Sequence, residues 1–149
     1  MSEFRYQHRV RYHETDAQKF AFNARYLEWA DVAMGEFFRA LGWSYPELLE
    51  LGFDPSVVHS ELDFAGPARL DDVLDITVSC PRVGRSSFDL SFVIVSADAE
   101  VTRINNTYVN VDIAEAAASA IPEVVDRALR TCAAEAASSS TSQAMRRAE

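Results

Sequence analysis

The sequence predicts an α+β protein in which a curved antiparallel sheet of about five strands wraps around one long helix. Three observations predict it. Residues 4–12 alternate between apolar and polar side chains, residues 24–41 carry apolar side chains at helical spacing, and from about residue 56 the pattern returns to period two in four successive runs. One apolar helix set against such a sheet is a two-layer arrangement with a single core.

In the first run Phe4, Tyr6, His8, Val10 and Tyr12 share a face, and Arg5, Gln7, Arg9 and Arg11 take the other. This is a half-buried strand that runs on toward Asp16. A short irregular turn separates it from the helix. Leu27, Ala30, Met34, Phe37, Phe38 and Leu41 line one side of that helix, Asn23 suits its N-cap, and Gly42 suits a left-handed stop. Apolar residues and alanines are dense enough here to expect burial on more than one side. Ser44-Tyr45-Pro46-Glu47 reads as a capping box with proline in the first turn, opening a short helix to about Glu50 that Gly52 ends.

Strands follow at about 56–64, 73–80, 86–96 and 100–111. Their turn signals are Gly66-Pro67 with Asp71-Asp72, Pro81 with Gly84, and Ala97-Asp98, and the last three strands read as an antiparallel meander. Ile121-Pro122-Glu123 opens a final helix to about Ala134, with Val124, Val125, Ala128, Leu129 and Cys132 on its apolar side. Residues 135–149 are rich in Ala, Ser and Thr and are expected to be a disordered tail, so one domain spans 1–134. The sheet's edge and outer face need cover, which a second subunit supplies most simply; a homodimer or homotetramer is expected.

The 149 residues are 48% hydrophobic and 25% charged, a globular balance, with a net charge of −9. That charge argues against nucleic acid as a partner, since no basic surplus exists to neutralise phosphates. It leaves room for an anionic small molecule held by a few arginines; Lys19 is the only lysine. Cys80 and Cys132 form neither a metal spacing nor a disulfide framework, and the three histidines with the carboxylates show no metal-ligand spacing, so no metal is expected. There is no basic-then-apolar leader and no apolar run near the roughly 18 residues of a membrane span, so a cytoplasmic protein without a membrane partner is expected. Asn105-Asn106-Thr107 matches a glycosylation acceptor, which without secretion is a chance match.

The chemistry centres on Asp16, a carboxylate placed just before a helix start whose free N–H groups favour a negative oxygen. A carboxylate beside an oxyanion site is the minimum equipment for acyl-transfer hydrolysis. Asp16 also suits a turn in which it bonds its own backbone, and Asn23 suits a helix cap whose N–H stays free for an oxyanion. His13 is expected to point away from Tyr12, and no Gly-x-Ser-x-Gly elbow accompanies it. His59 lies mid-strand, facing pocket or core. Phe20 and Phe22 on the turn can line an apolar pocket, Tyr26 and Trp29 brace the helix, and Glu14, Glu28, Glu61 and Asp63 are expected to face solvent. Arg82, Arg85, Ser86 and Ser87 gather at a hairpin that suits phosphate.

Arg11-Tyr12-His13-Glu14-Thr15-Asp16, followed by Asn23-Ala24-Arg25-Tyr26-Leu27-Glu28-Trp29, resembles the hotdog-fold acyl-CoA thioesterases of the 4-hydroxybenzoyl-CoA thioesterase type. Leu62 to Asp72 resembles that family's second strand and Pro-Ala…Asp turn, and Val83-Gly84-Arg85-Ser86-Ser87-Phe88 resembles its Gly-x-Ser-Ser hairpin; the likeness covers about residues 5–112. It implies hydrolysis of an acyl-CoA or acyl carrier protein thioester at a subunit interface, with coenzyme A as part of the substrate and no separate cofactor. Asp16 falls on the family's nucleophile or general base, and Asn23 on its oxyanion N–H. Lys19, Phe20, Phe22, Tyr26, His59, Arg85, Ser86 and Ser87 would meet the substrate. The chain departs from the pattern at Lys19 and Phe20, where the family commonly has glycine and then histidine or an aliphatic residue. The ammonium of Lys19 could pair with Asp16 or meet an acidic acyl group. The alternative reading is a non-catalytic acyl-thioester binding protein or pathway partner. A hydratase is disfavoured, because no histidine occurs between His13 and His59.

Overall fold

A computed structural model describes residues 3–147. Its elements are β1 (Phe4–Arg9), α1 (Arg25–Leu41), α2 (Tyr45–Glu50), β2 (Pro55–Phe64), β3 (Val73–Val83), β4 (Ser87–Ser96), β5 (Ala99–Asp112), β6 (Ala117–Ala118) and α3 (Glu123–Arg147), with a 3-10 turn at Tyr12–Glu14. The strands form one antiparallel sheet in the order β1-β3-β4-β5-β2, and the two-residue β6 pairs with the end of β5. β3, β4 and β5 are the expected meander. The register shifts at Val57/His59 in β2, at Ser79/Arg82 in β3 and at Ile94/Val95 in β4, irregularities that add curvature.

Period two decides which side of the sheet is the core. Leu74, Ile76, Val78 and Cys80 on β3, Phe88, Leu90, Phe92 and Ile94 on β4, and Ile104 and Tyr108 on β5 are all buried. The helix answers with Tyr26, Trp29, Ala30, Ala33, Phe37 and Phe38, a single stripe at three- and four-residue spacing. Edge-to-face ring contacts carry the packing from Phe37 through Phe38 to Phe53 and Phe88, and Phe88 stacks on Tyr108 at 5.0 Å. Burial on more than one side of α1 is not found: Leu27 and Val32 are exposed, and the sheet reaches only the other face.

Local signals explain the stops. Gly42 ends α1 at φ 113°, a conformation glycine adopts without a Cβ penalty. Ser44 and Glu47 form the expected capping box on α2. A Cβ on Gly84 would come within 3.0 Å of the Ser87 hydroxyl and 3.2 Å of the Ser87 carbonyl oxygen, so a larger residue at this β3–β4 hairpin would have to displace Ser87 by a few tenths of an ångström.

Two boundaries differ from the sequence reading. β1 stops at Arg9 rather than Tyr12, because the Glu14 carboxylate accepts the Arg11 N–H at 2.7 Å and draws the chain into the 3-10 turn, leaving Tyr12 83% exposed. α3 continues to Arg147, across most of the stretch expected to be disordered; residues 148 and 149 lie outside the described residues. Alanine has the highest helix propensity, and the Ser138, Ser139, Ser140 and Thr141 hydroxyls turn back to carbonyls four residues earlier. Only Val125 and Leu129 of α3 are buried, where it packs along β3.

Candidate active site

The chain between β1 and α1 builds the site. Val10 and the Asp71-Asp72 turn exchange backbone hydrogen bonds at 2.9 and 3.0 Å, which holds the exit of β1 against the entrance of β3. From there the 3-10 turn leads to Glu14, the one acidic side chain among the described residues that is buried, at 4% exposure. Its carboxylate meets His8 Nε2 at 2.9 and 3.2 Å, accepts the Arg11 N–H, and accepts the indole N–H of Trp29 on α1. The Glu14 carbonyl accepts the Phe22 N–H at 2.8 Å. Burial alone would raise the Glu14 carboxyl; the Trp29, Arg11 and His8 hydrogen bonds outweigh it and hold the group below its usual range. The sequence reading put Glu14 in solvent. Its partners come from β1 and α1, and only the nearby presence of His8 and Trp29 hinted at them.

Two residues on, Asp16 heads a small hairpin. Its N–H donates to the Phe20 carbonyl, its carbonyl accepts the Lys19 N–H, and Oδ1 accepts the Gln18 N–H at 2.8 Å. The turn role and the candidate catalytic role therefore coexist on one side chain, since among the described residues Oδ2 has no partner. Asp16 lines a groove of about 660 Å³ with Tyr12, His13, Thr15, Ala17, Lys19, Arg69 and Leu70. Tyr12 and His13 share this groove because they stand on a 3-10 turn, where strand alternation no longer applies.

Lys19 holds φ 65°. The left-handed turn that a glycine would supply at this position is thus made by lysine, at a cost of about 1–2 kcal/mol relative to the right-handed region. Lys19 forms no ion pair with Asp16. Lys19→Gly is expected to keep or raise Tm, whereas Lys19→Val is expected to lose about 1–2 kcal/mol; thermal unfolding of the two variants checks this.

The helix start differs in detail from expectation. The cap position is Ala24, with φ −69°, and no side chain caps the helix. The Arg25 N–H donates to the Phe22 carbonyl, while among the described residues the N–H groups of Asn23 and Ala24 have no partner. Two free donors at a helix start favour an anion. The Arg25 guanidinium spans from Glu28 to the His13 carbonyl at 3.2 Å, tying the groove wall to the helix. Since the Asn23 side chain caps nothing, Asn23→Ala is expected to change stability by no more than about 0.5 kcal/mol, instead of the roughly 1 kcal/mol of a true cap. It should also leave any reaction served by the backbone N–H intact; denaturant unfolding and turnover check the two halves.

The other candidates lie outside this groove. Phe20 is half-buried beneath the Arg69 guanidinium, 5.1 Å from the ring centroid, and Phe22 is exposed. Tyr26 is a core residue against Trp29 and Phe64, and burial pushes its phenol up. His59 is exposed on the edge strand β2, 3.4 Å from Glu61. Arg85, Ser86 and Ser87 form the β3–β4 hairpin, where Arg82 grips Asp89 with two hydrogen bonds and reaches the Ser87 hydroxyl. That hairpin and Asp16 stand at opposite ends of β3, about 30 Å apart at roughly 3.3 Å per residue, so one protomer does not unite them. Among the described residues no three His, Cys, Asp or Glu side chains gather as metal ligands, and no helix is long and apolar enough to cross a membrane.

A curved antiparallel sheet around one helix, with an acidic loop at the helix entrance, defines a hotdog-type scaffold. A sequence model of the thioesterase superfamily matches residues 18–102, more than half of the chain, and the chain belongs to that superfamily. A curated relative from Aquifex aeolicus that bears an esterase name is 27% identical over 105 residues, 70% of this chain and 82% of its own. Two solved structures share the fold: a gentisyl-coenzyme A thioesterase (24% identity, TM-score 0.76, 82% of this chain and 98% of the other) and a 1,4-dihydroxy-2-naphthoyl-CoA thioesterase from Synechocystis (20% identity, TM-score 0.77, 86% and 96%).

Proposed function

We propose that the protein hydrolyses acyl-CoA thioesters, within the 4-hydroxybenzoyl-CoA thioesterase type, and that Asp16 is the catalytic carboxylate. The observation that carries this is a half-buried Asp16 with Oδ1 tethered and, among the described residues, Oδ2 without a partner, in a groove whose wall residue His13 is tied by Arg25 to the start of α1, where among the described residues the Asn23 and Ala24 N–H groups are unbonded. The thioester carbonyl oxygen accepts from the Asn23 or Ala24 N–H, where the helix dipole supports the developing charge. Asp16 removes a proton from water as the water oxygen adds to the carbonyl carbon, or its own oxygen adds and water later splits the resulting anhydride. The C–S bond breaks, the thiolate leaves as CoA after taking the proton, and the acid is released.

The working unit is a homodimer or larger. β2 leaves one edge of the sheet unpaired and carries exposed Val57, Val58 and Phe64. Arg85 and Asp16, too far apart within one protomer, can serve one substrate if the Arg85 hairpin of a second subunit meets the nucleotide phosphates. Light scattering is expected to give at least twice the 16.6 kDa chain mass; a monomer at micromolar concentration would remove this part of the reading. The function itself is tested by thiol release from short, long and aromatic acyl-CoA esters. Turnover on at least one class is expected. Binding without release on all of them would favour the acyl-thioester binding protein.

A further inference from the structure

A buried carboxylate is a costly way to fill the space between a strand and a helix. Glu14, 4% exposed, takes such a place under the connection from β1 to α1. An apolar side chain of similar size would pack there without the desolvation penalty. What it would lack is direction. Oε1 of Glu14 accepts the Arg11 N–H on the 3-10 turn, Oε2 accepts the Trp29 indole N–H on α1, and the His8 ring on β1 stands 2.9 and 3.2 Å from the two oxygens. Three segments are thereby fixed in mutual orientation, because hydrogen bonds are directional and apolar contacts are not.

The same residue is the foot of the hairpin that carries Asp16. Its carbonyl accepts the Phe22 N–H at 2.8 Å, Thr15 bridges to Ala21, and the Asp16 N–H donates to the Phe20 carbonyl at 2.9 Å. The hairpin therefore pairs from Glu14 and Phe22 toward its tip. Asp16 stands two residues beyond Glu14 on one strand, and Asn23 directly follows Phe22 on the other. Trp29 lies six residues after Asn23, about 9 Å along the helix axis, so its indole ties down the opening turns of α1. Both halves of the candidate site are thus referred to one residue: Asp16 through the backbone, and the helix-start N–H groups through Phe22 and Trp29. The strand after Phe20 has its own anchor, since the Ala21 N–H donates to the Ala68 carbonyl. The strand that bears Asp16 reaches β1 and α1 through the Glu14 carboxylate and, at the surface, through the Arg25 guanidinium on the His13 carbonyl.

We infer that Glu14 is a positioning residue of this site: its buried carboxylate sets where Asp16 stands relative to the Asn23 and Ala24 N–H groups, and the rate of thioester hydrolysis depends on it although it meets no substrate atom. Asp16 must reach the water or the carbonyl carbon while the carbonyl oxygen meets an N–H. A relative shift of about 1 Å takes the reacting atoms out of line and costs up to about a hundredfold in rate. The groove walls at Tyr12, Ala17, Arg69 and Leu70 stay in place, so the ester still binds. This rests on the thioesterase reading and adds to it a residue that lies behind the groove.

The test uses two variants that loosen the tie from opposite sides. Glu14→Gln sets an amide N–H₂ against either the Arg11 N–H or the Trp29 N–H, donor against donor. Trp29→Phe keeps the charge on Glu14 and removes the indole donor. Rates are read per folded molecule, at a temperature where circular dichroism shows each variant folded. Each variant is expected to lose about tenfold to a hundredfold in kcat, with KM within about threefold of the wild type. In an Asp16→Asn background, where the group being positioned is gone, Glu14→Gln is expected to lower the residual rate by less than about threefold. A Glu14 that only holds the fold together would lower Tm and leave kcat per folded molecule alone. Wild-type kcat in either single variant, or losses that multiply in the double variant, would overturn the inference. If the wild type releases thiol from no acyl-CoA ester, the thioesterase reading fails, and amide hydrogen exchange decides the positioning separately. Faster exchange in Glu14→Gln at Asp16, Lys19 and Phe22, with the β3 and β4 amides unchanged, sustains it; a uniform rise or no rise overturns it.

Discussion

Asp16→Asn is expected to lower kcat for the preferred ester by about a hundredfold to ten-thousandfold, the range typical for loss of a positioned acid–base group. The substitution is nearly silent structurally. An amide oxygen still accepts the Gln18 N–H at the position of Oδ1, so the hairpin that also uses the Asp16 N–H and carbonyl keeps its shape. What is lost is the free, basic Oδ2. Stability should therefore stay within about 0.5 kcal/mol of the wild type, and acyl-CoA should still bind, because the helix-start N–H groups and the groove walls are untouched. A fall in kcat accompanied by a matching loss of folded protein would point to a merely structural aspartate.

Glu14→Ala is expected to cost about 3–5 kcal/mol, the magnitude for leaving two buried N–H donors without the charged acceptor they share, which at this size lowers Tm by on the order of 10 °C. The methyl group leaves the Trp29 indole N–H, the Arg11 N–H and His8 without their shared acceptor, and it opens space between β1 and α1. Glu14→Gln, which retains one acceptor oxygen, should lose less. The pH dependence separates the charge from the packing. The native carboxyl sits below its usual value of 4.5, so ionised Glu14 contributes its full stabilisation above about pH 4.5. That contribution fades as pH falls from there through the lower native value. The gap in stability between wild type and Glu14→Gln should accordingly be widest near neutral pH and shrink in acid. A gap that is constant from pH 7 to pH 3 would mean that shape, not charge, is what Glu14 supplies.

The elements were legible in the sequence because their causes are local. Alternation in Val73–Val83 and Ser87–Ser96, the Ser44/Glu47 capping box and the left-handed stop at Gly42 each lie within a few residues of the structure they produce. What was hidden depends on contacts between distant segments. The polar–apolar rhythm of residues 4–12 runs unbroken into Tyr12, yet the strand ends at Arg9, because a carboxylate held by an indole on the following helix captures the Arg11 N–H. Asn23 looked like a cap because asparagine favours that role, but the chain enters the helix through a turn that puts Ala24 at the cap position. The tail beyond Ala134 was misjudged through its composition: the alanines that suggested low complexity are also what make it helical.

The candidate site was legible in one part only. The Asp16 motif and its departure at Lys19 pointed to the groove, and both residues line it. Arg85, Ser86 and Ser87 belong to the far end of β3, a separation that a linear motif does not display.

The most direct test of the central claim is a single-turnover experiment on the best acyl-CoA ester, following bound ester and released CoA together, with wild type beside Asp16→Asn. Hydrolysis at the helix entrance with Asp16 as the catalytic carboxylate predicts that both proteins bind the ester with similar affinity and that only the wild type releases thiol at a catalytic rate. Equal release by the two would contradict it.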